Sequence, residues 1–283
     1  MKWVVFCSIR MPDALPFWRV MCRCASNSHP GHPMRLLIDA GNTRVKWALT
    51  ASDHPLPVWE AQGSLTHEAL AGLASELKSQ DIDAVWISNV AGDVLANRLT
   101  QILAGLGLAE NALHWFASLP ACGGVRNGYR EPAQLGCDRF AALIGARHHH
   151  PDRDLLVVNA GTATTVDALT GDGHFTGGMI LPGLGTMARS LALNTAQLPP
   201  VSEVHLEQTL ADNTRQAIIS GCISAQVGAI ARAYAQHPGQ SPLCLISGGA
   251  ASFISPHLTL PHELVPNLVL AGLQVAALME THA

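Results

Sequence analysis

The sequence contains few charged and few aromatic residues, and it has no long uninterrupted apolar run. Charged residues make up 13% and aromatic residues 5% of the 283 residues, whereas 48% are hydrophobic. This composition argues against a disordered chain and predicts a sizeable buried core. No stretch reaches the roughly 18 to 20 consecutive apolar residues that span a bilayer. The net charge of −4 argues against a nucleic acid or an anionic membrane as the main partner.

The chain also lacks the cysteine spacing of a disulfide framework. Seven cysteines are scattered through it, which predicts reduced thiols and a cytoplasmic protein. Cys22, Cys24, His29 and His32 suggest a zinc site at first sight. We reject that interpretation because the Cys-x-Cys spacing fits the usual zinc fingers poorly.

The first 33 residues differ in character from the rest of the chain. They start like a signal peptide, but Arg10 and Asp13 interrupt the apolar stretch. We therefore expect residues 1–33 to be an extension outside the folded part, with Met34 as the natural first residue.

The usual nucleotide-binding signatures are missing as well. There is no G-x-x-x-x-G-K-[ST] sequence. The stretch GLGTMA at 183–188 matches G-x-G-x-x-A, but Pro182 precedes it and no βαβ pair surrounds it. A nicotinamide site is therefore disfavoured.

One hairpin pattern does occur twice. Residues 36–50, LLIDAGNTRVKWALT, read as an apolar strand, a polar turn and a second strand, and residues 156–170, LVVNAGTATTVDALT, have the same outline. The two stretches align without a gap at an offset of 120 residues, with Asp39 opposite Asn159. The identical pairs are Leu36 and Leu156, Ala40 and Ala160, Gly41 and Gly161, Ala48 and Ala168, Leu49 and Leu169, and Thr50 and Thr170. The repetition predicts an internal duplication.

A similar succession of elements follows each hairpin. Strands are predicted at 35–39, 44–50 and 57–62, and again at 155–159, 164–170 and 174–181. Alternating helices and strands come after each trio, which predicts an α/β fold with mixed sheets in two domains, 34–152 and 153–283. Residues 122–136 read as a glycine-rich loop.

The two polar turns favour phosphate binding. Glycine, asparagine and threonine in a turn present backbone N–H groups and hydroxyls on one side, which suits phosphate oxygens. One turn from each domain, facing the other across a cleft, would hold a polyphosphate from both sides. Asp39 is then placed to hold Mg²⁺ directly or through water. Lys46 could reach a phosphate or be exposed to solvent.

Five short motifs resemble those of type III pantothenate kinases. DAGNTRVKWAL, GYREPAQLGCDR, NAGTATTVD, GGMILPG and DNTRQAIISG occur in that family's order, and the resemblance covers residues 34 to about 281. It implies duplicated actin-like, ribonuclease H-like domains of the acetate and sugar kinase/Hsp70/actin superfamily, with an active-site cleft between them. It also implies ATP-dependent phosphorylation of pantothenate to 4'-phosphopantothenate, the first step of coenzyme A synthesis, by a homodimer with pantothenate bound where the subunits meet.

The resemblance also implies roles for individual residues. Asp138 would be the catalytic base, and Asp39 the carboxylate that organises Mg²⁺ and phosphate. Asn159 stands where the family often has an aspartate associated with a monovalent cation, K⁺ or NH₄⁺, so direct cation binding there is in doubt. The ATP-binding positions would be Asp39, Ala40, Gly41, Asn42, Thr43, Arg44, Val45, Lys46 and Thr162. The substrate-binding positions would be Tyr129, Gly136, Cys137, Asp138, Arg139 and Thr214.

Some alternatives remain open from the residues alone. Asp138 and Arg139 could instead form a helix cap with a neighbouring salt bridge. At a helix start the dipole favours the ionised carboxylate, so we expect Asp138 to be a weak base. Arg139 would hold the substrate carboxylate or a phosphate oxygen. The same fold could serve a kinase for another small hydroxylated or carboxylate acceptor, or a non-catalytic accessory protein.

Overall fold

The structure is a computed structural model that describes residues 34–51, 57–194, 206 and 208–280. The interpretations given above for residues 1–33, including the zinc site, lie outside the described residues.

The first sheet has five strands in the order β3-β2-β1-β4-β5. Its strands are β1 Met34–Ala40, β2 Arg44–Ala51, β3 Ala61–Thr66, β4 Ile82–Asn89 and β5 Leu113–Trp115. The first three run antiparallel as a meander, whereas β4 and β5 join in parallel. Helices α1 Leu73–Leu77 and α2 Asp93–Gly105 contribute apolar side chains to the core of this sheet.

The second sheet repeats that arrangement. Its strands are β6 Ala121–Cys122, β7 Val125–Asn127, β8 Leu155–Ala160, β9 Ala163–Leu169, β10 His174–Pro182, β11 Leu243–Ser247 and β12 His262–Leu264, in the order β12-β11-β8-β9-β10-β7-β6. Read from β10 to β12, the strand order and directions are those of the first sheet. The predicted duplicated α/β fold with mixed sheets is therefore confirmed.

Several predicted boundaries are wrong. The third strand, predicted at 57–62, is β3 at Ala61–Thr66. The stretch predicted as a loop at 122–136 contains β7 and the end of β6, joined through Gly123 and Gly124 with positive φ angles of 58° and 75°. Strands of two or three residues are too short to show an alternating pattern, so only the tertiary structure reveals them.

The two repeated hairpins also differ by one residue. Ala40 pairs with Val45 in the first hairpin, whereas Ala160 pairs with Thr164 in the second. The second turn is thus one residue shorter, and the gapless alignment at an offset of 120 is wrong beyond the turn.

The remaining helices are α3 Cys137–His149, α4 Leu184–Asn194, α5 Thr214–Ala235, α6 Ala251–Ile254 and α7 Leu268–Glu280. Helices α3 and α7 cross closely because glycines stand at the contact. A Cβ at Gly272 would lie 1.8 Å from the carbonyl oxygen of Ala141, and one at Gly145 would lie 2.4 Å from that of Leu268. Their side chains share one buried cluster with residues of both sheets, including Trp86 of the first. The two halves are therefore joined by a common core.

By length and composition alone, α5 could cross a membrane. However, Ile230 and Ala233 of α5 are buried in one cluster with Leu156 and Val158 of the second sheet. A core helix of a globular domain meets the same length and composition criteria, so this helix is weak evidence for a membrane span.

Candidate active site

The turns of the two repeated hairpins meet. Thr43 Oγ1 lies 2.7 Å from Thr162 Oγ1, a hydrogen-bonding distance. Inside the turns, the N–H groups of Gly41 and Gly161 donate to the carbonyl oxygens of Arg44 and Ala163. The two glycine N–H groups therefore close the turns.

A crevice of about 370 Å³ opens beside this contact. This volume lies within the range of small-molecule sites. Nine residues with predicted roles line it: Asp39, Gly41, Asn42, Thr43, Arg44, Lys46, Asp138, Asn159 and Thr162. Seven other predicted site residues do not line it: Ala40, Val45, Tyr129, Gly136, Cys137, Arg139 and Thr214. Ala40 and Val45 are fully buried strand residues that support the first turn.

Asp39 is a carboxylate that the chain buries almost completely. It stands at the end of β1, opposite Lys46 in the ladder, and is 9% exposed. Burial raises the pKa of Asp39 to about 6, against the lowering effect of Lys46 and with a further raising effect of Asp138. In the part of the chain that the structure describes, no group of three or more metal-binding side chains occurs. Oxygen ligands from Asp39 and from bound phosphates nevertheless suit Mg²⁺, which usually takes only one or two protein carboxylates.

Asp138 lies in the first turn of α3, after Gly136 as the helix cap. Its Oδ1 accepts a hydrogen bond of 2.8 Å from the backbone N–H of Arg139. A Cβ at position 136 would lie 2.7 Å from the same oxygen, so glycine leaves the space that this carboxylate occupies. Burial raises the pKa of Asp138, against the lowering effects of the Arg139 N–H and charge. This direction is opposite to the one expected from the position of Asp138 at a helix start, because that expectation did not include its burial.

Arg139 is engaged inside the protein. It is 5% exposed, and its Nε and Nη2 groups both donate to the carboxylate of Asp167. Its Nη1 donates to the phenol oxygen of Tyr129 at 2.9 Å. Three of the five guanidinium N–H groups are therefore occupied. Sequence reasoning missed Asp167, since nothing in the linear sequence connects it with Arg139.

Sequence reasoning predicted a helix at roughly 185–196 but did not assign its start to the site. Thr186 Oγ1 donates to the carbonyl oxygen of Thr162 at 2.8 Å, and the N–H of Gly183 donates to the same oxygen at 2.9 Å. Gly185, Thr186 and Arg189 line the crevice. The G-x-G-x-x-A match that was set aside thus marks a helix start beside the second turn, where N–H groups attract anions.

The second sheet contributes two further features to the crevice. Asn159 ends β8, in register with Thr165 of β9 and Ser247 of β11. Gly248 follows β11 with a φ of 100°, and a Cβ there would lie 2.4 Å from the carbonyl oxygen of Ala160. Gly248 and Gly249 both line the crevice, and a close backbone approach of this kind requires glycine.

Solved structures of other proteins share the fold. A protein assigned to the Baf family of transcriptional activators from Campylobacter jejuni is 17% identical, with a TM-score of 0.56 over 87% of this chain and 98% of its own. An activator of 2-hydroxyisocaproyl-CoA dehydratase from Clostridium difficile, with bound ADPNP, is 11% identical, with a TM-score of 0.50 over 88% of this chain and 97% of its own. Together with these likenesses, the duplicated mixed sheets and the crevice between the two turns define the fold class of this chain.

Sequence relatives identify the family within that class. A family model described as type III pantothenate kinase matches residues 35–236. The type III pantothenate kinase of Herminiimonas arsenicoxydans is 51% identical over 255 residues, covering 87% of this chain and 98% of the relative. That of Janthinobacterium sp. (strain Marseille) is 49% identical over 257 residues, covering 88% and 99%. The chain belongs to the type III pantothenate kinase family, and the predicted resemblance is confirmed.

Proposed function

We propose that this chain transfers the γ-phosphoryl group of ATP to the primary hydroxyl of pantothenate, giving 4'-phosphopantothenate and ADP as the first step of coenzyme A biosynthesis. One observation carries the proposal: the two matching turns meet at the crevice that Asp138 also lines. Phosphoryl transfer depends mainly on positioning and charge stabilisation, which a crevice with donors on both walls supplies.

In this proposal the triphosphate lies between the two turns. Thr43 and Thr162 face it from opposite walls, and the cations that line the crevice, Arg44, Lys46 and Arg189, neutralise its charge. Asp39 would hold Mg²⁺, and the bound ion would neutralise the negative charge on the phosphate oxygens.

Asp138 acts as the general base. Its Oδ1 accepts the Arg139 N–H, so Oδ2 is the oxygen assigned to the acceptor hydroxyl. The hydroxyl proton passes to Oδ2 as the hydroxyl oxygen bonds to the γ-phosphorus and the bond to ADP breaks. A base works best with a pKa near the operating pH, and burial moves Asp138 in that direction.

A monovalent cation, K⁺ or NH₄⁺, belongs in this proposal near Asn159. An amide oxygen is a neutral ligand, so the cation would depend mainly on phosphate and backbone oxygens. The lining position of Asn159, between the ends of β9 and β11, supports this assignment.

The active form is proposed to be a cytoplasmic homodimer. Ile180 on β10, Leu193 on α4 and Leu210 are large apolar side chains with exposed fractions of 64%, 83% and 90%, and such side chains often lie at protein interfaces. Thr214 is exposed and lies outside the crevice lining of its own chain, which fits a contact with the partner's substrate. The free thiols of Cys137, Cys222 and Cys244 support a reducing compartment. Sedimentation analysis of the purified protein tests the dimer.

Measurement of ADP release tests the proposed reaction. With ATP, Mg²⁺ and K⁺, release is expected with pantothenate and not with a panel of sugars or acetate. Release with another acceptor alone would indicate a different small-molecule kinase. No release with any acceptor would favour a non-catalytic accessory protein. The carboxylates Asp39 and Asp138 in the crevice argue against such a protein, because it would have no use for them.

A further inference from the structure

A buried carboxylate with no role in the proposed reaction lies behind Arg139. Asp167, on β9, is 2% exposed, and the Arg139 guanidinium spans both of its oxygens. On its other side this guanidinium donates to the Tyr129 phenol at 2.9 Å. It also lies 5.6 Å from the ring centre of Tyr129 and 5.9 Å from that of Phe175. Charge, a hydrogen bond and two rings thus fix the position of Arg139.

Strand β10 leaves space for this ion pair. A Cβ at Gly178 would lie 2.1 Å from Asp167 Oδ1 and 2.8 Å from Arg139 Nη2, so a side chain there would displace the pair. Gly177 has a φ of 139°, where the register between β9 and β10 shifts. Neither glycine lines the crevice. Gly177 and Gly178, the first two glycines of GGMILPG, therefore accommodate the buried ion pair and the bulge.

We infer that Asp167 is a positioning residue for pantothenate, an inference that rests on the proposed function. Asp167 holds Arg139 in place, and Arg139 in turn orients the Tyr129 phenol beside pantothenate. The same ion pair prevents the Arg139 guanidinium from pairing with Asp138. A buried arginine without its carboxylate would need another negative partner. Asp138, the residue immediately before Arg139, is the carboxylate available for this, and the Arg139 charge already lowers its pKa. Asp167 thereby keeps the base free for the hydroxyl proton.

The test is a mutant cycle on the full-length protein with Asp167→Asn, Tyr129→Phe and the double variant. Asp167→Asn is expected to raise the KM for pantothenate by about tenfold and to change the KM for ATP by less than about twofold. The acid limb of its kcat/KM profile should move to lower pH, because a negative charge that favours protonated Asp138 is lost. The double variant should have the same pantothenate KM as Asp167→Asn alone, because both changes interrupt one chain of contacts.

Asp172→Asn is the matched control. Asp172 also pairs with an arginine, Arg126, but the two side chains are 66% and 59% exposed, so wild-type constants are expected. Wild-type constants in Asp167→Asn, additive effects in the double variant, or equal rises in both KM values would overturn the inference.

If Asp167→Asn fails to show a native melting transition, Arg139→Lys replaces it in the cycle. A lysine keeps the charge but cannot span Asp167 and Tyr129 together, so the same non-additivity is expected. Failure of the proposed function is distinguishable, because the wild-type protein would then release no ADP with pantothenate.

Discussion

Thr43 and Thr162 bring their hydroxyl oxygens within 2.7 Å of each other from two turns that are 119 residues apart. Either hydroxyl can be the donor, and both side chains line the crevice. The contact therefore joins the two walls at the place where the proposed triphosphate binds. A phosphate oxygen that enters between them replaces one exposed hydrogen bond by charge-assisted ones, which are stronger.

We expect Thr43→Val and Thr162→Val to weaken ATP binding selectively. Each change removes one hydroxyl and keeps the shape of the side chain, so the KM for ATP should rise by about tenfold. The KM for pantothenate should stay within about twofold of wild type. Thr100→Val on α2, which removes a hydroxyl bonded to the carbonyl oxygen of Ala96, is the control. Equal effects of all three variants would contradict the assignment of the two turns to phosphate.

Asp138→Asn should abolish most turnover without loss of nucleotide binding. Removal of a general base lowers kcat by about 10² to 10⁴, and the dissociation constant for ATP, measured by calorimetry, should be unchanged. Asp93→Asn is the matched control, because Asp93 is an exposed carboxylate in the first turn of a helix of the same length. Near-normal kcat in Asp138→Asn would remove the base from the mechanism.

Asp39→Asn should stabilise the ligand-free protein at neutral pH while it inactivates the enzyme. The pKa of Asp39 is about 6 in the folded chain and 3.8 in the reference state, so folded Asp39 binds its proton more tightly. Ionised Asp39 therefore destabilises the wild-type protein above pH 6, and this effect disappears as the pH falls from 6 towards 4. The free energy of unfolding of Asp39→Asn should exceed that of wild type by about 3 kcal/mol at pH 7.5.

Urea unfolding at several pH values measures this difference. The gap between the two proteins should close by about pH 3, below the reference pKa of 3.8, where wild-type Asp39 is protonated in both the folded and the unfolded state. Asp172→Asn, which changes an exposed carboxylate, should show no such gain. A wild-type protein more stable than Asp39→Asn at pH 7.5 would contradict the assignment of Asp39 as a desolvated charge that Lys46 compensates only in part.

Asn159→Asp should strengthen the response to K⁺ and NH₄⁺. A carboxylate adds a full negative charge at the crevice, which is expected to lower the activating K⁺ concentration by about tenfold. Initial rates across a K⁺ titration, with ionic strength held constant by a large organic cation, give this concentration. Identical activation curves for the two proteins would show that position 159 does not contact the cation.

The sequence predicted the fold better than the boundaries of its shorter strands. The repeated apolar strand and polar turn at 36–50 and 156–170 identified both halves, because long buried strands carry a clear pattern. The hairpin of β6 and β7 was not recoverable, since pairing partners decide such short strands.

In the candidate site, too, some features could be predicted from the sequence and others could not. The turn residues around Thr43 and Thr162 could be predicted because glycine and threonine determine turn chemistry locally. The partner of Arg139 could not be predicted, because Asp167 comes from a different part of the chain. The raised pKa of Asp138 could not be predicted either, because it depends on burial. Charge pairing in a protein interior is a property of the packed molecule.

The crossing of α3 and α7 has a consequence for motion of the crevice walls. At Gly145 and Gly272 the backbones touch directly, so no side chain remains there to change rotamer when the walls separate or approach. We therefore expect the crossing to act as a stiff pivot between the two walls of the crevice. An alanine at either glycine would tilt one wall against the other and alter ATP affinity from a position that no ligand touches.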